Sequence, residues 1–320
     1  MQEVFGQEVT LTVHDKSGEN IVFDSGGLRV DFDVRLVGKF NRGSFTIYNL
    51  VDDTIKAIVA EDNYVTLVTK LHGVQYTIAK SYYISNVIEE KVLPNSITTL
   101  YCYDSLRKDF LESQINYTVI KPTLRNCMTE LCKEAGFNGE IIYKSFPDGK
   151  VDQQPPRITS EFQGSLQSCI TLLQKQHKFN VYTDLGNLIC MYMPTLEEIG
   201  YTELVDKEPD VILDSLNMKS NPKIGPASLY LTSNLDGNIK PSALLDASNL
   251  ITVGIDNTSL DTLSTAKDFL NHISSGFSKY QAIAVQHAGS NYTSLWKTVI
   301  SAISPTNGKS MSQFSWQKGA

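Results

Sequence analysis

An alternating stretch near the N-terminus, residues 28–50, constrains the fold of this chain more than any other feature. Its sequence is LRVDFDVRLVGKFNRGSFTIYNL, in which apolar and polar side chains take turns along two runs. A period of two places successive side chains on opposite faces of a β-strand. The pattern therefore predicts two β-strands whose apolar residues, among them Phe45 and Ile47, lie in a core.

The polar residues of the first strand are the candidate functional set of this stretch. Asp31 and Asp33 share one face of the strand, and Arg35 follows on the same face. Two nearby carboxylates are compatible with acid–base catalysis or with cation binding. A solvated face or a protein interface is the simpler interpretation, because no catalytic partner for the pair is evident elsewhere in the chain.

Length and composition indicate a globular protein of several domains. The chain has 320 residues, of which 41% are hydrophobic and 20% are charged, which predicts two or three domains with sizeable cores. No apolar run approaches the roughly 18 residues that cross a bilayer, and residues 1–15 lack the pattern of an export signal. We expect synthesis in a cytoplasm and no membrane insertion by this chain. A net charge of −7 argues against tight wrapping of nucleic acid.

The residue pattern divides the chain into four segments. Residues 1–104 predict about seven strands and one short helix at residues 51–60, as in a β-sandwich or an open barrel. Residues 105–200 predict a small α/β domain. Residues 201–304 predict a second β domain with an inserted helix, and residues 305–320 predict a flexible tail. The expected fold class is therefore α+β and mainly β.

Three longer helices are predicted from the 3.6-residue spacing of apolar side chains. Two of them, at residues 122–136 and 165–177, belong to the α/β segment. The third covers residues 259–273. After it, residues 292–303 alternate as a closing strand, in which Trp296 is predicted to be a core residue.

No catalytic or metal-binding motif is evident in the sequence. The chain has no glycine-rich phosphate loop, no H-E-x-x-H sequence and no G-x-S-x-G turn. Its five cysteines are scattered without a C-x-x-C pair, which favours structural thiols over disulfides or metal ligands. We therefore expect a protein that is not an enzyme and that holds no cofactor and no metal.

Two sequence motifs resemble those of a known protein family. The first is GSFTIYNL at residues 43–50, followed by a short helix and by the alternating strand at residues 64–71. The second is a strand that ends in His287, then a G-S-N turn and a closing strand with W-K-T at residues 296–298. In this order and at this spacing they resemble the baseplate hub proteins of tailed bacteriophages, whose tube-like domains are similar to the phage tail tube and to the base of the type VI secretion spike. The resemblance covers about residues 5–303.

The resemblance implies a structural role at a tail tip. Such hubs form homotrimers in which each subunit supplies two tube-like β-sandwich or barrel domains with an α/β domain between them. The resulting pseudo-sixfold ring would join a sixfold tail tube, or a distal tail protein, above to a threefold spike protein below. Tape measure protein and then DNA would pass through its lumen without sequence-specific binding. The chain would then be a virion component located in the tail baseplate.

The resemblance also implies positions for the candidate residues. Asp31, Asp33 and Arg35 would face the lumen or a neighbouring subunit. Strand edges of subunits that close a ring must complement each other. The long strands at residues 28–37 and 76–89 would supply such edges.

Two other functions remain compatible with the residue pattern. The β-rich and aromatic N-terminal segment, which has no catalytic set, would also suit a carbohydrate- or peptide-binding β-sandwich module attached to an α/β domain. A hydrolase that uses Asp31 and Asp33 is the third interpretation, and it rests on those two carboxylates alone.

Overall fold

A computed structural model gives the fold of the chain. It describes residues 7–15, 20–37, 41–60, 63–120, 122–146, 148–153, 161–192, 208–220, 222–224, 228–250 and 279–303. The helix predicted at residues 259–273 and the tail predicted at residues 305–320 lie outside these ranges.

Within these ranges the chain forms four α-helices and eighteen β-strands. The helices are α1 (Asp52–Val59), α2 (Leu106–Glu112), α3 (Leu124–Glu134) and α4 (Leu166–His177). The strands are β1 (Gln7–His14), β2 (Asn20–Phe23), β3 (Val30–Leu36), β4 (Arg42–Tyr48), β5 (Tyr64–Leu71), β6 (Val74–Val92), β7 (Asn95–Asp104), β8 (Ile115–Thr118), β9 (Ile141–Lys144), β10 (Glu161–Gly164), β11 (Phe179–Asp184), β12 (Asn187–Tyr192), β13 (Val211–Ile212), β14 (Lys223–Ile224), β15 (Ser228–Asn234), β16 (Leu244–Asp246), β17 (Lys279–Ser290) and β18 (Thr293–Ile303). A mainly β protein with a smaller helical part is what the sequence predicts.

Strands from both ends of the chain form one large sheet. The order of its described strands is β14-β15-β18-β17-β3-β4-β7-β6-β5-β1-β2, and β13 and β16 attach beside β17. The antiparallel pair β3–β17 joins the strands of the first sequence segment to those of the third. The two β segments, predicted as separate units, therefore share a continuous sheet.

The central position of β3 corrects one expectation from the sequence. This strand pairs with β4 on one side and with β17 on the other, so it offers no open edge to a neighbouring subunit. The prediction that residues 28–37 supply such an edge is wrong. Its alternating pattern is that of a strand with one buried and one open face, and alternation carries no information about its lateral neighbours.

One hydrophobic core covers the apolar face of the large sheet. It contains buried side chains from β1 to β7 and from β15 to β18. Phe45 and Ile47 of β4 are fully buried in it, and Trp296 of β18 is almost fully buried. Helix α1 packs on the same core through Ile58. The structure thus places all three core candidates in the interior.

Helix α1 lies where the sequence predicts it, but its first turn differs in detail. Its N-cap residue is Val51, which makes no side-chain capping bond. Asp52 and Asp53, whose residue type is favoured at N-caps, lie inside the first turn instead. Their charges there still favour the helix, because the N-terminal end of a helix dipole is positive.

The middle of the chain folds around a second core. This α/β unit contains α2, α3 and α4, the three-stranded sheet β11-β12-β9 and the strand pair β8–β10. The two helices predicted here are confirmed. Thr123 caps α3 by accepting the N–H of Asn126, and Ser165 caps α4 by accepting the N–H of Ser168. Helix α2 was not predicted, since a helix of seven residues shows too little periodicity.

Buried and partly buried polar contacts join the α/β unit to the large sheet. The side-chain amide of Asn41 donates to the backbone oxygen of Thr183 at 2.7 Å and to its hydroxyl at 3.0 Å. Lys240 pairs with Asp184 at 2.8 Å. Asp104, at the end of β7, is also buried and accepts the backbone N–H at the start of α2. The side-chain amide of Gln281 on β17 also donates to the sulfur of Met191 on β12, which belongs to a small third cluster of buried side chains with Tyr182 and Ile189. The junction is therefore partly polar and partly apolar.

Candidate assembly surface

The polar residues of β3 lie in the middle of the open face of the large sheet. Asp31 is in register with Thr46 of β4 and with Ser290 of β17. Asp33 and Arg35 follow on the same face, at two-residue intervals. Because β3 has four to six strands on each side of it, these three side chains project from the centre of a broad surface rather than from an edge.

Asp31 is held by three hydrogen-bond donors. Arg29 donates to it through Nε at 3.0 Å and through Nη2 at 2.8 Å, and the hydroxyl of Tyr48 donates at 3.0 Å. The Arg29 guanidinium also lies 4.3 Å from the centre of the Tyr48 ring. Burial alone would raise the pKa of Asp31, but the hydrogen bonds from Arg29, Ser290 and Tyr48 outweigh it and lower that pKa.

Asp33 has a similar but more exposed set of partners. Arg35 donates to both of its oxygens at 3.2 Å, and Gln286 of β17 donates at 2.8 Å. The hydrogen bonds from Arg35 to Asp33 raise the pKa of that guanidinium. Each carboxylate on this face is thus neutralised by its own arginine.

This arrangement does not suit the two carboxylates for acid–base or metal chemistry. A general acid or a cation ligand needs free oxygen lone pairs directed at a common point, whereas Asp31 and Asp33 direct theirs at arginines. Among the described residues no group of three or more histidine, cysteine, aspartate or glutamate side chains is placed to hold a metal ion. Around β3 the face instead carries paired charges and hydroxyl groups.

The core directly beneath the face fixes its shape. Phe32, on the buried side of β3, packs edge-to-face on Trp296 with ring centres 5.9 Å apart. Gly289 lies against both rings, and a Cβ atom there would be 2.8 Å from the Phe32 ring. His287 is buried and bonds to the Thr298 hydroxyl at 3.0 Å, and burial lowers the pKa of His287 to about 4. It is therefore a neutral structural residue.

Asn291, which the sequence marks only as part of a G-S-N turn, clamps the two β segments together. Its side-chain oxygen accepts the backbone N–H of Val30 at 2.8 Å, and its amide donates to the backbone oxygen of Leu28 at 2.9 Å. These bonds span 261 and 263 residues of sequence. The turn between β17 and β18 thereby holds the start of β3.

An open edge is present on β6, the other strand that the sequence suggests. Strand β5 pairs with β6 only from Val74 to Tyr83, and β7 pairs with it from Tyr82 to Val92. The second half of β6 thus has a strand on one side only within the described residues. For this half, the expectation that β6 supplies an edge to a neighbouring subunit stays a prediction.

Comparison with known proteins rests on structure, because no protein-family model and no curated protein sequence matches the chain. The fold is similar to that of the 43 kDa tail protein of prophage MuSo2 from Shewanella oneidensis, with a TM-score of 0.56 and 11% identity over 95% of this chain and 99% of that chain. A tail protein from Neisseria meningitidis MC58 gives a TM-score of 0.55 and 10% identity, over 95% of this chain and 99% of that chain.

The chain has the fold of these phage tail proteins. A third similar structure is the c3393 protein of E. coli, a type VI secretion component that shows structural similarity to the T4 bacteriophage tail proteins gp27 and gp5. Its TM-score is 0.50, with 9% identity over 89% of this chain and 76% of that chain. The resemblance of the sequence motifs to tail hubs is thereby confirmed at the level of the fold. No helix in the described ranges is long and apolar enough to span a membrane.

Proposed function

We propose that this chain is a structural hub of a phage-type tail tip. The observation that carries the proposal is the match of the fold to two phage tail proteins along 99% of their length. A match of this extent includes both β segments and the α/β unit between them. The proposed role belongs to the whole chain and not to one module of it.

The architecture supports a ring of three such subunits. Each chain brings two β segments side by side in one sheet, joined by the β3–β17 pair. Three copies would place six β segments around a closed ring and so connect a sixfold tube, or a distal tail protein, to a threefold spike. Closed rings of identical subunits are built from complementary surfaces on the two sides of one subunit.

The open face of the sheet suits the lining of a channel. Asp31, Asp33 and Arg35 would face the lumen, where tape measure protein and DNA pass. Free lysines and arginines attract phosphate groups, but Arg29 and Arg35 are each already bound to an aspartate. A surface of such neutralised ion pairs would bind passing nucleic acid weakly and without regard to its sequence.

We also propose that the chain works without catalysis, as a virion component of the tail baseplate made in the host cytoplasm. The hydrogen bonds of Asp31 and Asp33 support this part of the proposal, because they bind both carboxylates to neighbouring arginines. The protein partners of the chain would be two further copies of itself, a tail tube or distal tail protein on one side and a spike protein on the other.

The proposal is tested with the purified full chain and with the assembled tail. Light scattering is expected to give a threefold multiple of the 35.6 kDa subunit mass, alone or with the tail partners, and images viewed from above are expected to show a ring with an open channel. An antibody against the chain is expected to label the junction of tube and spike. A lasting monomer with every tail partner, or tails that lack the chain, would refute the hub.

A further inference from the structure

A row of tyrosine and arginine side chains crosses the open face of the large sheet beside the α/β unit. Tyr64 of β5 is in register with Tyr83 of β6, Tyr83 with Tyr103 of β7, and Tyr103 with Arg42 of β4. Residues in register on paired strands project from the same face of a sheet. Their neighbours along the chain are buried, so the four lie on the open face. We call them the tyrosine–arginine row.

The aromatic rings of the row are partly exposed and packed against their neighbours. The rings of Tyr83 and Tyr103 are tilted by 33°, with their centres 6.0 Å apart. The guanidinium of Arg107 on α2 lies 3.7 Å from the centre of the Tyr103 ring. Tyr64 is 39% exposed, and Tyr101, on the same face of β7, is 42% exposed. Such rings offer a partner a large contact area at a small cost in side-chain entropy.

The positive charge at one end of the row has no counterion in the described part of the chain. Arg42 is exposed, and no carboxylate among the described residues pairs with it. It lies opposite Arg35 across the β3–β4 pair, and Arg35 is already bound to Asp33. Like charges directly opposite each other on paired strands repel. An anion at Arg42 would relieve this repulsion.

A cleft of about 580 Å³ lies at the other end of the row. Its lining includes Tyr64 and Lys80 of the large sheet and Leu185 from the turn between β11 and β12. Lys80 is exposed and has no carboxylate partner within the ranges that the structure describes. A lone positive charge therefore lies at each end of the row, with aromatic rings between the two charges and an apolar side chain in the cleft.

We propose that the tyrosine–arginine row and this cleft bind an acidic segment of another protein in an extended conformation. Arg42 and Lys80 each pair with a carboxylate of the segment, and the tyrosine rings contact its apolar side chains. Neighbouring strands are about 4.8 Å apart, so Arg42 and Tyr64 are separated by roughly 14 Å, which an extended segment spans with about four residues. The inference goes beyond the proposed hub, because the site is complete in a single chain.

The chemistry of the site favours a protein segment over nucleic acid. Tyrosine and arginine are the residue types that dominate the energetics of protein interfaces. A nucleic-acid site needs a dense cluster of lysine and arginine, whereas this site has one lone cation at each end. Asp31 and Asp33 lie on the same face beside the row. A long polyanion would meet these carboxylates, but a short acidic segment that crosses the strands avoids them.

Peptide binding by the full chain tests the proposal. One pool of short peptides contains glutamate, aspartate, leucine, phenylalanine, glycine and serine in random order, and a second pool has glutamine and asparagine in place of the acids. The wild type is expected to enrich peptides from the acidic pool alone, and fluorescence anisotropy then measures the dissociation constant of each enriched peptide. Arg42→Gln/Lys80→Gln and Tyr64→Ala are each expected to raise that constant about tenfold, because each removes central contacts of the interface.

Matched controls carry the same kinds of change away from the row. They are Lys133→Gln/Lys175→Gln on exposed positions of α3 and α4, and Tyr292→Ala, whose side chain is 65% exposed. Both are expected to bind the peptides as the wild type does. Circular dichroism checks that each variant is folded, and the charge variant decides the test if Tyr64→Ala is not.

Three results would overturn the proposed site. They are equal enrichment from the two pools, wild-type affinity in the folded row variants, and tighter binding of a single-stranded oligonucleotide than of any enriched peptide. The last result would assign the row to nucleic acid instead. Each of them leaves the hub standing, because light scattering and images of the tail test the ring independently of peptide binding.

Discussion

At the scale of single residues, Asp104 is a carboxyl group whose charge is costly to the fold. It is almost fully buried, and burial raises its pKa from 3.8 to about 6, although hydrogen bonds from the backbone of Leu106 and from the Thr183 and Asn41 side chains act in the opposite direction. Nearby Asp184 adds to the increase. The folded protein therefore binds this proton more tightly than the unfolded chain does.

The raised pKa of Asp104 predicts a defined pH dependence. Because the folded pKa lies above the unfolded one, the stabilisation is complete below about pH 4 and is lost as the pH rises through about 6. Relative to the variant Asp104→Asn, the wild type is expected to lose about 2 kcal/mol of unfolding free energy between pH 4 and pH 7. Urea unfolding of both proteins at several pH values measures the difference, and parallel profiles would contradict it.

Asp31 and Asp33 look alike in the sequence but are expected to respond differently to substitution. Asp31→Asn disturbs three hydrogen bonds from Arg29 and Tyr48, one of them across to β4, and is expected to cost about 1–3 kcal/mol. Asp33→Asn affects a more exposed pair with Arg35 and is expected to cost less than about 1 kcal/mol. Thermal unfolding of the two single variants compares them, and equal midpoints would show that Asp31 has no special role.

The sequence alone does not predict which of these two aspartates contributes more to stability. Alternation in β3 predicts that both lie on one open face, and the structure shows that they do. Their unequal hydrogen bonding depends on Arg29, which precedes the strand, and on Tyr48 and Gln286 from its two neighbours. Such cross-strand partners follow from register, and the order of strands in a sheet is not encoded in the pattern of any one strand.

At the scale of elements, Asn291 joins the two β segments through side-chain hydrogen bonds to the start of β3. Asn291→Ala removes its bonds to Val30 and Leu28 and leaves a buried backbone N–H without its acceptor, which is expected to cost about 1–3 kcal/mol. Hydrogen exchange is expected to rise at the start of β3 and at the β17–β18 turn. The control Asn20→Ala, which removes an exposed bond to His14, is expected to leave both regions unchanged.

If exchange in β3 stays at the wild-type level in Asn291→Ala, the pairing of β3 with β17 holds the joint without the clamp. This role is not predictable from the sequence. A G-S-N tripeptide predicts a turn, but only the fold reveals that the asparagine side chain reaches a strand more than 260 residues earlier.

The sequence predicts elements best where the signal is local. Helices α3 and α4 have both a cap residue and an apolar stripe, and their predicted spans agree with the structure to within two residues. The roles of the long strands were less predictable. The resemblance predicts edges on both β3 and β6, yet β3 is central, and among the described strands β6 lacks a neighbour along one half only. Whether a strand lies at an edge depends on long-range pairing, which the residue pattern of the strand itself does not encode.

At the scale of the whole molecule, the described part of the chain has two large cores but three segments in sequence. The first and third segments are separated by the α/β unit, and nevertheless pack into one core and one sheet. Composition and periodicity detect the change from β to α/β character near residue 105. They do not detect that the chain later returns to the same sheet, because that return depends on the tertiary pairing of β3 with β17.

Two large cores that are joined by a small junction predict two cooperative units in unfolding. Leu173 of α4 is fully buried in the α/β core, and Phe45 is fully buried in the core of the large sheet. Leu173→Ala is expected to cost about 2–5 kcal/mol and Phe45→Ala about 3–5 kcal/mol. Each cost should appear mainly in the unit that holds the residue, since the junction contacts of Asn41, Lys240 and Met191 are few beside the contacts within either core.

Hydrogen exchange followed by mass spectrometry distinguishes the two units directly. Leu173→Ala is expected to speed exchange between β8 and β12 and to leave β3, β4 and β7 protected, whereas Phe45→Ala is expected to do the reverse. The separation has a physical reason. A cavity removes packing contacts from the side chains that line it, and only contacts across the junction transmit that loss of stability to the other unit. If either variant instead speeds exchange equally in both regions, the junction couples the cores into one unit, and the α/β unit would then act as a rigid part of the sheet that carries the assembly surface.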